Sequence, residues 1–320
     1  MSAATEVIEI GTREHKPGPV AIGYGAAALG APAMTDDQAN DLVDRAWECG
    51  IRYFDTAPHY GLGVSERRLG RALRARPRDE LILSTKVGRL LMPDAGGELQ
   101  RVWDYSPEGI RRSITDSLTR LELERIDIAY LHDPDFYEGA DDGVNALETA
   151  IDALVELRDE GLIEAIGVGS TDVDVLAGAV RTGVLDLVML AGRFTLLEQS
   201  SLRELLPLCL VHGVGVVNVG VFNTGILAET TPTDSARYAY RPASPDVVSR
   251  ARRLAIVCAE FGVDLPTAAI HYAKRHPAVR AVVVGADDDA QIAQNVERWH
   301  TSVPDGLWTR LAELELIANV

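Results

Sequence analysis

The chain has 320 residues, 47% of them hydrophobic and 25% charged, an ordinary globular composition that excludes a disordered, coiled-coil or collagen-like protein. Its 31 Lys+Arg against 48 Asp+Glu leave a formal net charge of -17, which repels nucleic-acid phosphates and anionic lipid rather than attracting them. The length leaves two options, one large barrel or two smaller domains.

The first strand is predicted at Val20 to Gly25, followed by a helix over Asp36 to Cys49 with Leu42, Val43 and Ala46 at helical spacing and Gly50 placed to end it. Next come a strand at 51–55 (IRYFD), a helix over Glu66 to Leu73, a strand at 81–86 (LILSTK), a helix over Pro107 to Leu121 and a strand at 126–132 (IDIAYLH). Asn145 to Glu160 reads as a helix with Ile151, Leu154 and Leu157 on one face, and Ile163 to Val168 as the fifth strand. Leu185 to Ala191 and Val214 to Val219 are the sixth and seventh, and the eighth, at 278–285, follows helical segments at Asp246 to Phe261 and Pro266 to Lys274. Strand and helix alternate almost from end to end, and eight such units in this length are the arithmetic of a closed (β/α)8 TIM barrel. An open doubly wound sheet is the alternative, because counting strands does not establish closure. No Pro-, Gly- or Ser-rich linker divides the chain, so a single domain over 1–320 is expected.

No stretch approaches the roughly 20 apolar residues of a membrane-spanning helix. The start, MSAATEVIEIGTREH, lacks the basic-then-apolar order of a targeting segment. The expectation is a cytoplasmic protein acting on a small molecule, with neither nucleic acid nor membrane as partner; monomer and homo-oligomer stay open. Cys49, Cys209 and Cys258 are far apart and predicted to be free thiols. His15, His212, His271, His276 and His300 show no carboxylate or cysteine partner pattern, so no metal site is expected.

Chemistry concentrates at the C-terminal ends of strands. Asp55 ends one strand and Tyr60 sits on the loop after it (FDTAPHYG, 54–61), Lys86 ends the next strand, and His132 ends the one after that. Singly these read as a turn aspartate, a surface lysine and a strand-capping histidine; at corresponding strand ends of a barrel they read as a site. An ammonium facing a phenol favours phenolate and lowers a tyrosine pKa from its usual value of about 10, aspartate pairs with the lysine, and histidine orients a substrate oxygen. Such a proton-transfer centre needs an electron partner. His59, in the same loop, and Trp103 and Tyr105, after the third strand, are candidates to touch substrate. Two longer connections, Gly88 to Ser106 and Glu229 to Ala243, are candidate substrate loops.

These motifs resemble the aldo-keto reductase superfamily, whose fold is this barrel and whose catalytic set is Asp, Tyr, Lys and His. The likeness runs from GYGAAALG (23–30) through LHDPD (131–135) and IGVGS (166–170) to VVVGADDDAQIAQNVE (282–297). It implies that Tyr60 is the general acid/base, Lys86 lowers its pKa, Asp55 holds Lys86, and His132 positions the substrate oxygen. It also implies a nicotinamide cofactor, NAD or NADP, lying across the barrel mouth. Gly25, Ala26 and Asp55 then border the nicotinamide ribose, Ser170 reaches the carboxamide, and Arg193 or Phe194 lines the ring. Gly220, Val221, Phe222, Asn223, Gly225 and Leu227 wrap the pyrophosphate, while Gly285, Ala286, Gln291, Gln294 and Asn295 hold the adenosine. The chain departs from the common pattern at Gly169 and Ser170, and it has no clear counterpart of the usual glutamine on the sixth strand. GYGAAALG is not GxGxxG, so a Rossmann reading is rejected.

Asp287, Asp288 and Asp289 would repel a 2′-phosphate, which points to NAD over NADP and, with NAD, to oxidation. LAGRFTLLEQ (190–199), GVFNTGIL (220–227) and ARYAYRPASPDV (236–247) are similar to a sugar-dehydrogenase branch that oxidises a hemiacetal to a lactone. Pyridoxal oxidation and general aldehyde reduction are the alternatives within the superfamily. Two alternatives of other classes are a lyase using Lys86 as a Schiff-base amine, which pairing with Asp55 disfavours, and a cofactor-sensing regulatory protein, a role the same superfamily includes.

Overall fold

Apolar runs too short for helices, such as IDIAYLH and VRAVVVG, form strands covered on both faces. In the computed structural model, which describes residues 20–136 and 143–318, the chain begins β1 (Ala21–Gly25), α1 (Asp36–Glu48), β2 (Tyr53–Asp55), α2 (Val64–Leu73), β3 (Ile82–Val87), β4 (Arg89–Pro93), β5 (Leu99–Trp103), α3 (Pro107–Leu121) and β6 (Ile126–His132). It continues α4 (Gly143–Asp159), β7 (Ile163–Ser170), α5 (Val173–Arg181), β8 (Leu187–Ala191), α6 (Leu205–His212) and β9 (Gly215–Val219). The last part is β10 (Arg237–Tyr238), β11 (Arg241–Pro242), α7 (Pro245–Glu260), α8 (Leu265–Ala273), β12 (Val279–Gly285), α9 (Asp289–His300) and α10 (Asp305–Glu313). The opening MSAATEVIEIGTREH, with His15, lies outside the described residues.

Eight strands close into a parallel barrel in the order β1, β2, β3, β6, β7, β8, β9, β12. β12 returns to β1 in continuous register from Ala21↔Ala281 to Gly25↔Gly285, which removes the open-sheet alternative. Tyr53, Ile128, Tyr130, Leu187, Met189, Val217 and Val283 belong to the smaller of two core clusters and fill the barrel; the larger cluster packs between strands and helices. Helix starts are fixed locally: Thr35 and Gln38 form a capping box, and Ser106, Ser244 and Asp264 each cap a helix with proline in its first turn.

The structure departs from the sequence reading in two connections and four helices. Gly88 to Ser106 is not an open loop: β4 and β5 pair antiparallel from Arg89↔Trp103 to Pro93↔Leu99. Within Glu229 to Ala243, β10 and β11 make a smaller hairpin with Ala239 and Tyr240 in left-handed backbone at its tip. Helices α5, α6, α9 and α10 add to those expected; α6, LLPLCLVH, is apolar on all sides and carries no helical periodicity. Among the described residues no single helix is long and apolar enough to cross a membrane.

Candidate active site

Parallel register brings three of the four sequence-singled residues to one rim, and the loop after β2 carries the fourth, Tyr60. Asp55 is paired with Ser84, Lys86 with Tyr130 and His132 with Gly169, so the ends of β2, β3 and β6 stand side by side. Asp55, Lys86 and His132 are all buried. Lys86 Nζ donates to Asp55 Oδ2 at 2.7 Å and to the Thr56 carbonyl at 2.8 Å, and lies 4.9 Å from the centre of the Tyr60 ring. Ser84 Oγ donates to Asp55 Oδ1 at 2.7 Å, and the chain of hydroxyls continues to Tyr53 at 3.1 Å and from there to Tyr130 at 3.3 Å. Sequence reasoning missed Ser84, Tyr53 and Tyr130, which look like ordinary alternating strand positions.

Tyr60 owes its place to two glycines. The 3-10 turn Ala26–Gly30 lies so close to the Tyr60 loop that a Cβ on Gly61 would fall 2.2 Å from the Gly30 carbonyl oxygen, and one on Gly30 2.6 Å from the Tyr60 carbonyl carbon. Gly61 also has φ +61, a left-handed conformation that glycine adopts without strain. The rings of Tyr60, His59 and His132 meet edge to face with centroids 5.9 to 6.5 Å apart.

The electrostatics add burial to the expected pull of Lys86 on Tyr60. Burial holds the Tyr60 phenol above its usual range; Lys86 pulls it down without reversing the shift. For Lys86, burial opposes the charge, yet Asp55 and then Tyr60 outweigh it and hold the ammonium above its ordinary value. The resting pair is a neutral phenol beside a charged lysine. Burial, with Lys86 and Arg89 adding to it, holds His132 well below the usual imidazole range, so it is neutral. His59 is pushed down to about 4 by burial and by Arg89, Arg101 and Lys86. A neutral imidazole can donate a hydrogen bond to a carbonyl or hydroxyl oxygen, and a phenol beside an ammonium can give or take that oxygen's proton.

One wall of the site comes from the β4–β5 hairpin. Arg89 ion-pairs with Asp133, approaches His59 Nδ1 at 3.3 Å, and lies over the Trp103 ring at 4.1 Å. Trp103 is half-buried, and its ring is engaged by this guanidinium. Tyr105 packs beneath, its hydroxyl donating to the His132 carbonyl at 2.6 Å. Neither Arg89 nor Asp133 was a sequence candidate.

The residues expected along a cofactor divide into rim and support. Gly25 and Gly285 face each other across the barrel seam, and a Cβ on Gly285 would meet nothing nearer than the Gly25 oxygen at 3.9 Å. Ser170 stands at its strand end, but its hydroxyl donates to Asp135 Oδ1 at 2.6 Å and accepts from the Asp172 amide at 2.8 Å, so Asp135 shares that position. Phe194 is displaced from its expected role: it is fully buried against Tyr272, with ring centroids 5.1 Å apart. Arg193 stays at the rim, its Nε donating to the Thr171 carbonyl at 2.8 Å.

Ala26, Val221, Leu227 and Ala286 are core side chains, so they present backbone rather than side chain to the mouth; Phe222 packs partly against the same core. Asn223 is buried, accepts from Thr195 Oγ1 at 2.6 Å, and pins the segment that includes Gly220 and Gly225, both left-handed. At the far end Gln291 Nε2 bonds Asp287 Oδ1 at 2.5 Å and Asp288 Oδ2 at 3.0 Å, Asn295 is buried and Gln294 is exposed.

The sequence matches the Aldo/keto reductase family over residues 21–315. It is 45% identical to a D-threo-aldose 1-dehydrogenase from Pseudomonas sp, an alignment covering 93% of this chain and 94% of that protein. It is 37% identical to a pyridoxal 4-dehydrogenase from Microbacterium luteolum, again over 93% and 94% of the two chains. Among solved structures, the holo form of an aldo-keto reductase from Bacillus halodurans superposes with a TM-score of 0.77 at 27% identity, covering 96% of this chain and 97% of that one.

Proposed function

This chain belongs to the aldo/keto reductase family, and from that premise we propose that it is an NAD-dependent dehydrogenase that oxidises the cyclic hemiacetal of a small sugar to a lactone. The observation that carries the reading is the buried Asp55–Lys86 ion pair set against half-buried Tyr60 and neutral His132. Aldo-keto reductases use nicotinamide cofactors, and the residues here fit one: the Gly25–Gly285 seam is open backbone, and the pinned segment 220–227 borders the same mouth. When bound, the cofactor supplies the hydride acceptor for oxidation and the donor for reduction.

In the oxidation, His132 donates a hydrogen bond to the reacting hydroxyl oxygen and fixes its direction. Tyr60, once ionised, takes the hydroxyl proton as phenolate while hydride leaves the carbon and the C=O bond of the lactone forms; in reverse the phenol gives that proton to the oxygen and is left as phenolate. Lys86 stabilises the phenolate charge that Tyr60 carries before oxidation and after reduction, and Asp55, braced by Ser84, keeps Lys86 ionised and in place. Gly25, Ala26, Ser170, Arg193, Gly220 to Leu227, and Gly285 to Asn295 hold the cofactor. Asp135 joins them through Ser170.

NAD over NADP is supported by the acidic turn at Asp287 and Asp288, which Gln291 ties together without adding a positive charge. The 45% identity to the aldose dehydrogenase supports the sugar substrate, and the 37% identity to the pyridoxal enzyme makes pyridoxal the second candidate. The test follows reduced-nicotinamide absorbance with NAD or NADP against L-fucose, D-arabinose, L-galactose, pyridoxal and simple aldehydes. Reduction of NAD by one of the sugars with lactone as product is expected. Turnover confined to simple aldehydes with NADPH would contradict the proposal.

A further inference from the structure

Arg89 is a nine-tenths buried guanidinium at the rim of the site, 9% exposed, and its Nε has no hydrogen-bond partner among the described residues. Its terminal nitrogens reach Asp133 and His59, and its flat face rests on Trp103. Asp133 follows His132 directly with φ +47, a left-handed conformation that is strained for a residue with a Cβ. It is held there by its amide, which donates to the Gly169 carbonyl at 2.8 Å, and by the Tyr105 hydroxyl, which reaches the Asp133 carbonyl at 3.3 Å. Asp133 Oδ2 lies between the Arg89 guanidinium and His132 Nε2, 3.5 Å from the latter, while Oδ1 accepts no hydrogen bond among the described residues.

A buried ion pair on strained backbone is a poor device for stability: desolvation of both charges offsets their attraction, and a left-handed aspartate costs further. Its position beside the imidazole is what the arrangement delivers. A substrate oxygen that accepts from His132 Nε2 stands beside the Asp133 carboxylate. Oxygens on adjacent carbons are separated by about a hydrogen-bond length, so the next oxygen along the substrate falls within reach of the Asp133–Arg89 pair. A carboxylate accepts from a hydroxyl, and a guanidinium donates to the same hydroxyl's lone pair. An anionic substrate group fits poorly, because Asp133 already neutralises Arg89 and would repel it.

We propose that Asp133 and Arg89 bind the hydroxyl on the carbon next to the reacting carbon, so that the substrates are 2-hydroxy aldehydes and their cyclic hemiacetals rather than simple aldehydes. This rests on the dehydrogenase reading and narrows its substrate class. Without the hydroxyl the half-buried Asp133 carboxylate and the buried Arg89 guanidinium keep each other but lose the group that would use their remaining hydrogen-bonding capacity, which is the condition under which a polar site discriminates.

The experiment compares kcat/KM for reduction of lactaldehyde and propanal, which differ only by that hydroxyl, in the wild type, Asp133→Asn and Arg89→Lys. A parallel oxidation pair is D-arabinose and 2-deoxy-D-ribose. The wild type is expected to prefer the hydroxylated member by about a hundredfold. Asp133→Asn is expected to bring the ratio to within about threefold of unity, chiefly through KM for the hydroxylated member, with thermal melting and cofactor binding reporting that the variant is folded. A wild-type ratio near one overturns the inference without any variant. So does a folded Asp133→Asn or Arg89→Lys that keeps the full preference. Absence of turnover with all four compounds while cofactor still binds overturns the dehydrogenase reading itself, and the inference with it.

Discussion

Lys86 Nζ and Asp55 Oδ2 meet at 2.7 Å with both side chains almost sealed from solvent, 4% and 6% exposed. In so dry a setting neither charge is tolerated alone, and the pair holds a positive charge 4.9 Å from the Tyr60 ring centre. Asp55→Asn removes one charge and keeps the shape. It is expected to destabilise the fold by about 3 kcal/mol, the scale for breaking a buried pair, measured by urea unfolding. A loss under about 1 kcal/mol would mean that the Lys86 charge is carried by other groups.

The phenol of Tyr60 is held above its usual range by burial, against the pull of Lys86. Oxidation needs the deprotonated phenol, so its kcat/KM is expected to climb with pH from about 7 to beyond 9. Reduction needs the protonated form, so its profile is expected to be flat across the same range and to fall only at higher pH. Removing the ammonium with Lys86→Met takes away the downward pull and should move both limbs further alkaline. An oxidation profile that levels off below about pH 7 would show a phenol depressed rather than raised.

Gly61→Ala tests what places Tyr60. The added methyl would sit 2.2 Å from the Gly30 carbonyl oxygen on backbone with φ +61. A stability loss of at least about 2 kcal/mol is expected, with a fall in turnover as the loop shifts. An unchanged melting temperature would mean that the two segments separate easily.

Cofactor choice is tested at the acidic turn. Asp287→Arg replaces a carboxylate that bonds Gln291 with a guanidinium suited to a 2′-phosphate. The NADP-to-NAD ratio of kcat/KM is expected to rise by at least about tenfold. No change in that ratio would place the adenosine ribose elsewhere.

The barrel was legible because its strands are short apolar runs alternating with helices, and the site because Asp55, Lys86 and His132 stand at or next to the ends of successive runs. What escaped depends on partners distant in sequence or on patterns with no period. Arg89 and Asp133 are 44 residues apart and meet only when a hairpin, read as a long connection after a strand, folds back on the site. Tyr53, Ser84 and Tyr130 lie on three strands, and nothing in any one strand announces that their hydroxyls touch. The downward pull of Lys86 on the phenol was legible because a neighbouring charge is visible in sequence, whereas the larger upward push was not, because depth of burial is not. Phe194 looked like a rim residue by its place after a strand and is instead packed on Tyr272 from α8.

The proton-transfer role of Tyr60 is the centre of the account, and Tyr60→Phe tests it most directly, because the change removes one oxygen and keeps the ring between His59 and His132. Turnover and cofactor affinity are measured on the same preparation, by nicotinamide absorbance and by binding titration. The account predicts a fall in kcat of about a thousandfold with cofactor affinity within about twofold of the wild type. Turnover retained within about tenfold, or loss of cofactor binding in a folded protein, would contradict it.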